Sequence, residues 1–212
     1  MSDEVFRELL KQRADASNVS IDLFLEEKLA AYFRLLAHWN SRINLTSLPL
    51  EPATPQAVDR LFIEPLVAAS FVTPSVSVWF DLGSGGGSPA VPLQLVKSAQ
   101  RLIMVESRER KAAFLRQVIR ELPLTGAEVE VSRIESVAAE PHNSGAADLV
   151  TVRAVRMEAS LVGWIQALLR FGGKAILFGA DASVLSLPRG LELTNVVETA
   201  GRGLLVLQRA GL

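Results

Sequence analysis

An apolar run, Val76-Ser77-Val78-Trp79-Phe80, leads into Asp81, then into a glycine cluster at Gly83, Gly85, Gly86 and Gly87, and then into a helix start at Ser88-Pro89. Gly83, Gly85 and Gly87 remove the Cβ atoms that would hold a ligand away from backbone N–H groups, and they permit the positive φ of a sharp turn. A turn of this kind binds nucleotide-type cofactors through the main chain itself. Its plain alternative is a tight strand-to-helix connection of the sort any α/β protein uses.

Spacing narrows the choice of cofactor. The dinucleotide fingerprint Gly-x-Gly-x-x-Gly fails because, counted from Gly83, its third glycine is Ser88. Asp81 followed by Gly83, Gly85 and Gly87 is instead the pattern of S-adenosylmethionine (SAM) sites in doubly wound methyltransferases. Arg101 to Glu106 is a short apolar run ending in a second acid, about twenty residues past the glycines, where such folds place the carboxylate that takes two ribose hydroxyls. Glu106 is the candidate for that role.

The elements around these residues follow from periodicity. Val5 to Trp39 reads as helical, with Leu25, Leu29, Tyr32, Leu36 and Trp39 on one apolar stripe, Glu26, Glu27, Lys28 and Arg34 on other faces, and Asp22 as an N-cap. Asn40 to Pro55 ends the helical region, and a further helix is expected between Gln56 and Phe71. Strands are then predicted near 76–82, 101–106, 127–132, 147–153 and 173–179, with helices near 89–97, 107–122 and 158–170. Such alternation marks a doubly wound, mostly parallel sheet covered on both faces. Leu191 to Glu198 and Gly203 to Arg209, separated by Thr-Ala-Gly-Arg, predict a closing hairpin and hence an antiparallel final strand. The expected organisation is an N-terminal helical extension over 1–72 and an α/β domain over 73–212.

With 212 residues the chain can build an ordinary core, and the absence of cysteine excludes disulfides, thiolate metal sites and thiolate nucleophiles. That also excludes RNA methylation by thiolate attack on a pyrimidine ring. The charged start, and the lack of about eighteen consecutive apolar residues, predict a soluble cytoplasmic protein with no membrane span. A net charge of −1 gives no global basic field, so any RNA contact must be a local patch. Arg108, Arg110, Lys111, Arg116 and Arg120 fall on or beside one helix whose buried face is Phe114, Leu115, Val118 and Leu122; they are either a solvated face or part of such a patch. No metal site is expected, and the two histidines, His38 and His142, lie outside the cofactor motif.

Taken in order, several segments resemble the glucose-inhibited division protein B family, the ribosomal RNA small subunit methyltransferase G enzymes. They are Trp39-Asn40 with Asn44-Leu45-Thr46, then Asp81 to Pro89 continuing to Pro92-Leu93, then Glu106-Ser107 with Arg110, Lys111, Phe114 and Leu115, then Arg133-Ile134-Glu135, Arg153-Ala154-Val155 and Gly172-Gly173. The resemblance implies a class I SAM-dependent methyltransferase fold, Rossmann-like, and methyl transfer from SAM to N7 of a guanine in 16S ribosomal RNA. Its expected partners are the RNA, the small subunit or a precursor of it, and a monomer is expected. By matching position it implies cofactor contacts at Gly83, Ser88, the pair Ile134-Glu135, and Arg153, beside Asp81, Gly85, Gly87, Glu106 and Ser107 of the motif itself. Trp39, Asn40, Arg42, Asn44, Arg60 and Arg156 are the candidates for RNA contact, with Trp39 and Phe62 as possible stacking platforms or core residues.

Guanine N7 carries an available lone pair, so this chemistry needs no general base. The residues after the fourth strand, Arg153-Ala154-Val155-Arg156, also lack the Pro-Pro-aromatic motif of enzymes that methylate exocyclic amines. Three departures from the family's usual pattern stand out. Arg60-Leu61-Phe62-Ile63-Glu64-Pro65-Leu66 replaces Arg-His-x-x-Asp-Ser-Leu, Ser88 replaces a Phe or Leu, and Phe178 replaces a lysine. Two alternatives stay open at this level. One is a SAM-responsive RNA- or ribosome-binding protein that has lost catalysis through those changes. The other is a small-molecule methyltransferase with the helical extension as a lid, which an apolar cleft would favour.

Overall fold

A computed structural model describes residues 2–199 and 203–211. Seven strands form one sheet: β1 (Val78–Leu82), β2 (Arg101–Val105), β3 (Ala127–Glu130), β4 (Ala147–Arg153), β5 (Leu169–Phe178), β6 (Leu191–Glu198) and β7 (Gly203–Arg209). Their order is β3-β2-β1-β4-β5-β7-β6; β7 runs antiparallel to both β5 and β6, and the other pairings are parallel. The antiparallel finish expected from the last two β-rich runs is therefore present, while residues 200–202 of the proposed turn lie outside the described residues. Strand order reverses between β1 and β4, and open α/β sheets bind ligands in the crevice beyond the carboxyl ends of strands at that point.

The central strands read as nearly continuous apolar runs because both faces are covered. Alternation divides them into two layers. Trp79, Met104, Leu149 and Ile176 face a core shared with the N-terminal helices, whereas Phe80, Ile103, Val150 and Ala175 face the other side. On the first side lie α1 (Ser2–Ala16), α2 (Leu23–Asn40), α3 (Pro55–Val58), α4 (Glu64–Ala68), α5 (Ala90–Val96) and α6 (Glu109–Glu121). On the second lie α7 (Ile134–Ala139) and α8 (Ala159–Leu168).

The long N-terminal helical stretch is broken in two. Asn18 takes a left-handed φ of 54° after α1, and the Asp22 side chain caps α2 by accepting from the Leu25 N–H at 2.7 Å. Because α1 folds back over α2, Glu26 is buried rather than solvated as its place off the stripe predicted. Arg7 at 3.2 Å and Lys11 at 3.3 Å hold its charge. The helix expected from Gln56 to Phe71 is instead α3 and α4 joined by a π-helical turn, Asp59–Ile63, and followed by a 3₁₀ turn, Ala69–Phe71. Arg13 grips the buried Asp59 with two hydrogen bonds of 2.7 Å at the start of that turn. π-bulges of this kind concentrate at functional sites.

Two further boundaries differ from expectation. α8 stops at Leu168 and β5 begins at once, because Gly173 lets the strand pass within 2.7 Å (measured to an ideal Cβ) of the Ala147 carbonyl. α7 was absent from the periodicity: a helix of six residues with Val137 as its one buried side chain carries no repeat to detect.

Phe62, considered above as a stacking platform, is fully buried. Its ring lies 4.8 Å from Phe6, 5.5 Å from Tyr32 and 6.3 Å from Phe33, so it joins α1, α2 and the π turn into one aromatic cluster. Phe62→Ala is expected to lower unfolding free energy by about 3–5 kcal/mol, seen as a fall in the denaturant midpoint. A loss below about 1 kcal/mol would mean the cluster does not fasten these helices.

Candidate active site

The glycine turn leaves β1 at the switch point and is fixed from four directions. The Val105 carbonyl accepts from Gly83 N–H at 2.9 Å and Ser84 N–H at 3.0 Å, and the Ser84 carbonyl accepts from Gly87 N–H at 2.7 Å. Glu106 Oε2 accepts from Gly85 N–H at 3.0 Å. From α2, the Tyr32 hydroxyl donates to the Gly86 carbonyl at 2.6 Å, and burial pushes that phenol's pKa well up, so it remains a donor. Gly83 (φ 74°) and Gly87 (φ 87°) both require a left-handed backbone. A Cβ at Gly83 would lie 2.7 Å from Val155 Cγ2, and one at Gly87 would press on Val91 at 3.0 Å and the Tyr32 oxygen at 3.2 Å.

Glu106 is 7% exposed and spends its second oxygen on the Arg108 N–H at 2.8 Å. Each carboxylate oxygen keeps a lone pair for a ligand. Beneath the turn, the register of β1 and β4 sets Asp81 beside Thr151. Trp79 Nε1–H donates to Thr151 Oγ1 at 2.8 Å, and that hydroxyl donates to Asp81 Oδ1 at 2.5 Å. Asp81 Oδ2 is buried with no partner among the described residues.

A cleft of about 380 Å³ opens above these groups. Gly83, Gly85, Gly86 and Glu106 form one wall, and Asn44, Thr46 and Leu48 form the facing wall. Arg60, Arg108, Lys111 and Arg153 bring four cations to it. Of the sequence-predicted cofactor residues, Gly83, Gly85, Ser88, Glu106 and Arg153 line the cleft, with the Ser88 hydroxyl donating to the Leu61 carbonyl at 2.8 Å. Asp81 lies below the floor, and Gly87 packs toward Val91 and Leu115. Ser107 is exposed outside the lining; Ile134 packs on the second core at the start of α7, and Glu135 pairs loosely with Arg133 at 3.5 Å.

Among the RNA candidates, Asn44 and Arg60 line the cleft. Arg42 is exposed beside the His38 ring, and Arg156 is exposed with Glu158 at 3.2 Å. Asn40 and Trp39 have structural partners. The Asn40 side-chain oxygen accepts from Leu45 N–H and Thr46 N–H, both at 2.9 Å, and thereby shapes the facing wall. Trp39 is half-buried against Phe114, and its N–H donates to Gln117 at 2.9 Å. Sequence reasoning did not single out Thr46, Ser47, Leu48 or Gly86 as lining residues, nor Tyr32 and Thr151 as supports. Tyr32 was visible only as one position of an apolar stripe. Ala154, which lines the cleft after β4, holds a left-handed φ of 56°, strain of the kind found at functional sites.

The sequence model described as "GidB: rRNA small subunit methyltransferase G" matches residues 25–184, from the first turn of α2 past the end of β5. The chain belongs to the GidB family. A GidB-family relative from Roseiflexus sp. (strain RS-1), named ribosomal RNA small subunit methyltransferase G, is 32% identical over 91% of this chain and 77% of its own length. Another of that name, from Xanthomonas axonopodis pv. citri, is 35% identical over 84% and 81%. The fold is that of class I SAM-dependent methyltransferases. It is shared with a putative methyltransferase, yhhF, from Escherichia coli (TM-score 0.57, 14% identity, 66% of this chain and 81% of that one). A putative methylase from Haemophilus influenzae shares it as well (TM-score 0.56, 16% identity, 68% and 92%). Of the departures noted from the sequence, Leu61 and Ser88 line the cleft, and Pro65 and Phe178 lie outside its lining. Ser88 bonds to Leu61, and the Phe178 ring lies under Arg153 with its centroid 4.6 Å from the guanidinium carbon.

Burial pushes the Asp81 carboxyl up from 3.8 to about 6; the neighbouring Ser84 hydroxyl, the hydrogen bond from Thr151 and the Arg153 charge oppose the rise, and the Glu106 charge adds to it. Since the folded pKa exceeds the unfolded one, ionised Asp81 lowers stability above about pH 6, by on the order of 3 kcal/mol. That loss is relieved as pH falls from 6 toward 4, where the folded state binds a proton that the unfolded chain does not. Asp81→Asn keeps an acceptor for Thr151 and is expected to melt above the wild type at about pH 7.5, by a margin that shrinks toward about pH 4. A margin independent of pH in thermal unfolding would remove Asp81 as its source.

Proposed function

We propose that this protein transfers a methyl group from SAM to N7 of a guanine in the 16S RNA of the small ribosomal subunit, in the cytoplasm. The observation that carries the reading is the family match over residues 25–184, which takes in both walls of the cleft. The residues present suit the cofactor. Gly83 and Gly85 leave the turn's backbone without Cβ cover, Glu106 keeps lone pairs for two ribose hydroxyls, and Arg153, paired with Glu64 at 2.9 Å, lines the cleft beside the turn. Ser88 completes the cleft floor, with Asp81 and Gly87 supporting the turn from below. In this reading Ser107, Ile134 and Glu135 edge the adenine end.

When bound, SAM supplies an electrophilic methyl on a sulfonium; the N7 lone pair forms the new N–C bond as the C–S bond breaks, leaving a neutral thioether and a cationic guanine. The chain's task is to hold the reacting atoms in line, a positioning effect worth several kcal/mol. No proton has to leave N7. Neither His38 nor His142 lies in the cleft, which accords with a reaction that needs no base. Arg60, Arg108 and Lys111 form no ion pair among the described residues, so the cleft presents unneutralised cations to a phosphate backbone. That charge favours RNA over a small apolar substrate. Arg42, Arg156, Asn44, Asn40 and Trp39 complete the proposed RNA face, the last two by fixing the loop and helix end that carry it.

The test is a map of N7-methylated guanines in 16S RNA from cells with and without the protein. One site is expected to disappear with the protein and to return when the purified protein and SAM act on undermethylated subunits. An unchanged map, with SAM still bound by the purified protein, would favour a binding protein without this activity. At the cofactor, Glu106→Ala is expected to weaken SAM by at least about tenfold, since each charge-assisted hydrogen bond contributes roughly 1.5–3 kcal/mol. Unchanged affinity in calorimetric titration of the folded variant would take Glu106 out of the site.

A further inference from the structure

β6 ends the sheet, and its outer edge has no strand beside it among the described residues. An open edge of eight residues without lysine or proline is a template for pairing with another chain. Two exposed large apolar side chains lie on it, Leu193 at 39% and Val196 at 56% exposure.

The pairing with β7 fixes which way each residue of β6 points. Leu205 and Leu207 belong to the core on the α8 side of the sheet, and Leu204 and Val206 to the core under the N-terminal helices. Leu193 is opposite Leu207 and Val196 opposite Leu205, so both face the α8 side with Leu191. Asn195, opposite Val206, and Val197, opposite Leu204, face the other side. Residues two apart share a face in an unbroken strand, so the change from Leu193 to Asn195 marks Thr194 as the extra residue of a bulge.

Bulges usually close an edge to pairing. This one makes the strand match itself. Two copies of a regular strand cannot pair antiparallel about a point between two residues, because every opposed pair would then face opposite sides of the sheet. In β6, about the point between Thr194 and Asn195, Leu193 opposes the partner's Val196, Glu192 the partner's Val197, and Leu191 the partner's Glu198, and each pair shares a face. A register centred on Asn195 would instead set Leu193 against the partner's Val197 on the wrong face, and Glu192 against the partner's Glu198 as like charges. Charge favours the first register as well. Arg189, just before β6, and Glu198, its last residue, are exposed and form no ion pair among the described residues. Along one copy they stand about 30 Å apart at roughly 3.3 Å per residue, but this register brings each Arg189 to within two residues of the partner's Glu198, at both ends.

We infer that β6 pairs antiparallel with β6 of a second copy of this chain, joining two seven-stranded sheets into one continuous sheet. The dimer takes the place of the monomer expected from the family resemblance. Its two-fold axis turns the carboxyl ends of the two sets of parallel strands to opposite sides, so both clefts stay open.

Sedimentation velocity of the purified protein is expected to show a dimer that dissociates on dilution, since eight paired residues make a small interface. Val196→Lys, at an exposed position, sets a charge against the partner's Leu193 and is expected to leave a folded monomer. Arg189→Glu and Glu198→Arg each bring like charges together at both ends, and each alone is expected to raise the dimer dissociation constant about tenfold or more. An equal mixture of these two variants has opposite charges at both ends of a mixed dimer, whose affinity is expected to return to within about threefold of wild type. A wild type that stays monomeric at about 0.1 mM overturns the proposal and leaves the edge to an extended segment of another protein. A dimer indifferent to Val196→Lys, or a mixture no tighter than its single variants, puts the interface on another face and overturns it too.

Discussion

Apart from Ser84, whose hydroxyl donates to the Asp81 carbonyl at 3.0 Å, the path from Gly83 to Gly87 has no side chains with which to hold itself and is set by its neighbours. Three of them act at once: the Val105 carbonyl at the end of β2, the Glu106 carboxylate next to it, and the Tyr32 hydroxyl from α2. Each satisfies a backbone group that would otherwise be left unpaired near the core. The result is a rigid loop that presents its open side to the cleft. Glu106 therefore serves twice, as a loop anchor and as a wall of the cleft, and the two services use different lone pairs of one carboxylate.

Seen from that turn, the N-terminal helices are part of the site rather than an attachment. One hydrophobic cluster runs from Phe6 and Leu10 of α1 through Phe33, Leu36 and Phe62 to Trp79 and Met104 on the sheet. α2 delivers Tyr32 to the turn, its last residue Asn40 shapes the wall opposite, and the π turn brings Arg60 and Leu61 to the rim. A π turn suits that task, since its extra residue rotates the start of α4 and allows Glu64 to reach Arg153.

Much of the fold was legible because its signals are local and repeated. The apolar runs of β1, β2, β4 and β5, the Asp22 cap and the buried face of α6 each follow from period or capping chemistry that a single segment carries. The glycine turn was legible for the same reason: Gly83, Gly85 and Gly87 are unusual residues at fixed steps. What the sequence did not disclose depends on partners distant along the chain. Glu26 looked solvated because nothing local predicts that Arg7 and Lys11 fold over it. Phe62 was equally compatible with stacking on a base and with burial, and only the return of α1 and α2 decides between them. The six-residue α7 and the early start of β5 were hidden because one turn of helix, or a glycine beside a carbonyl, leaves no periodic trace.

The brace from Thr199 to Glu64 has a consequence for biosynthesis. Chains emerge from the ribosome with the amino end first, at about 5–20 residues per second, and domains tend to fold as units. Glu64 and Phe178 flank the Arg153 guanidinium and Thr199 braces Glu64, so the surroundings of that charge are complete only after residue 199 has been released. Until then the Arg153 charge is stabilised by water, and the sheet lacks the antiparallel β7 that separates β5 from β6. Pairings of such long sequence separation make folding slow relative to a helical bundle of equal length.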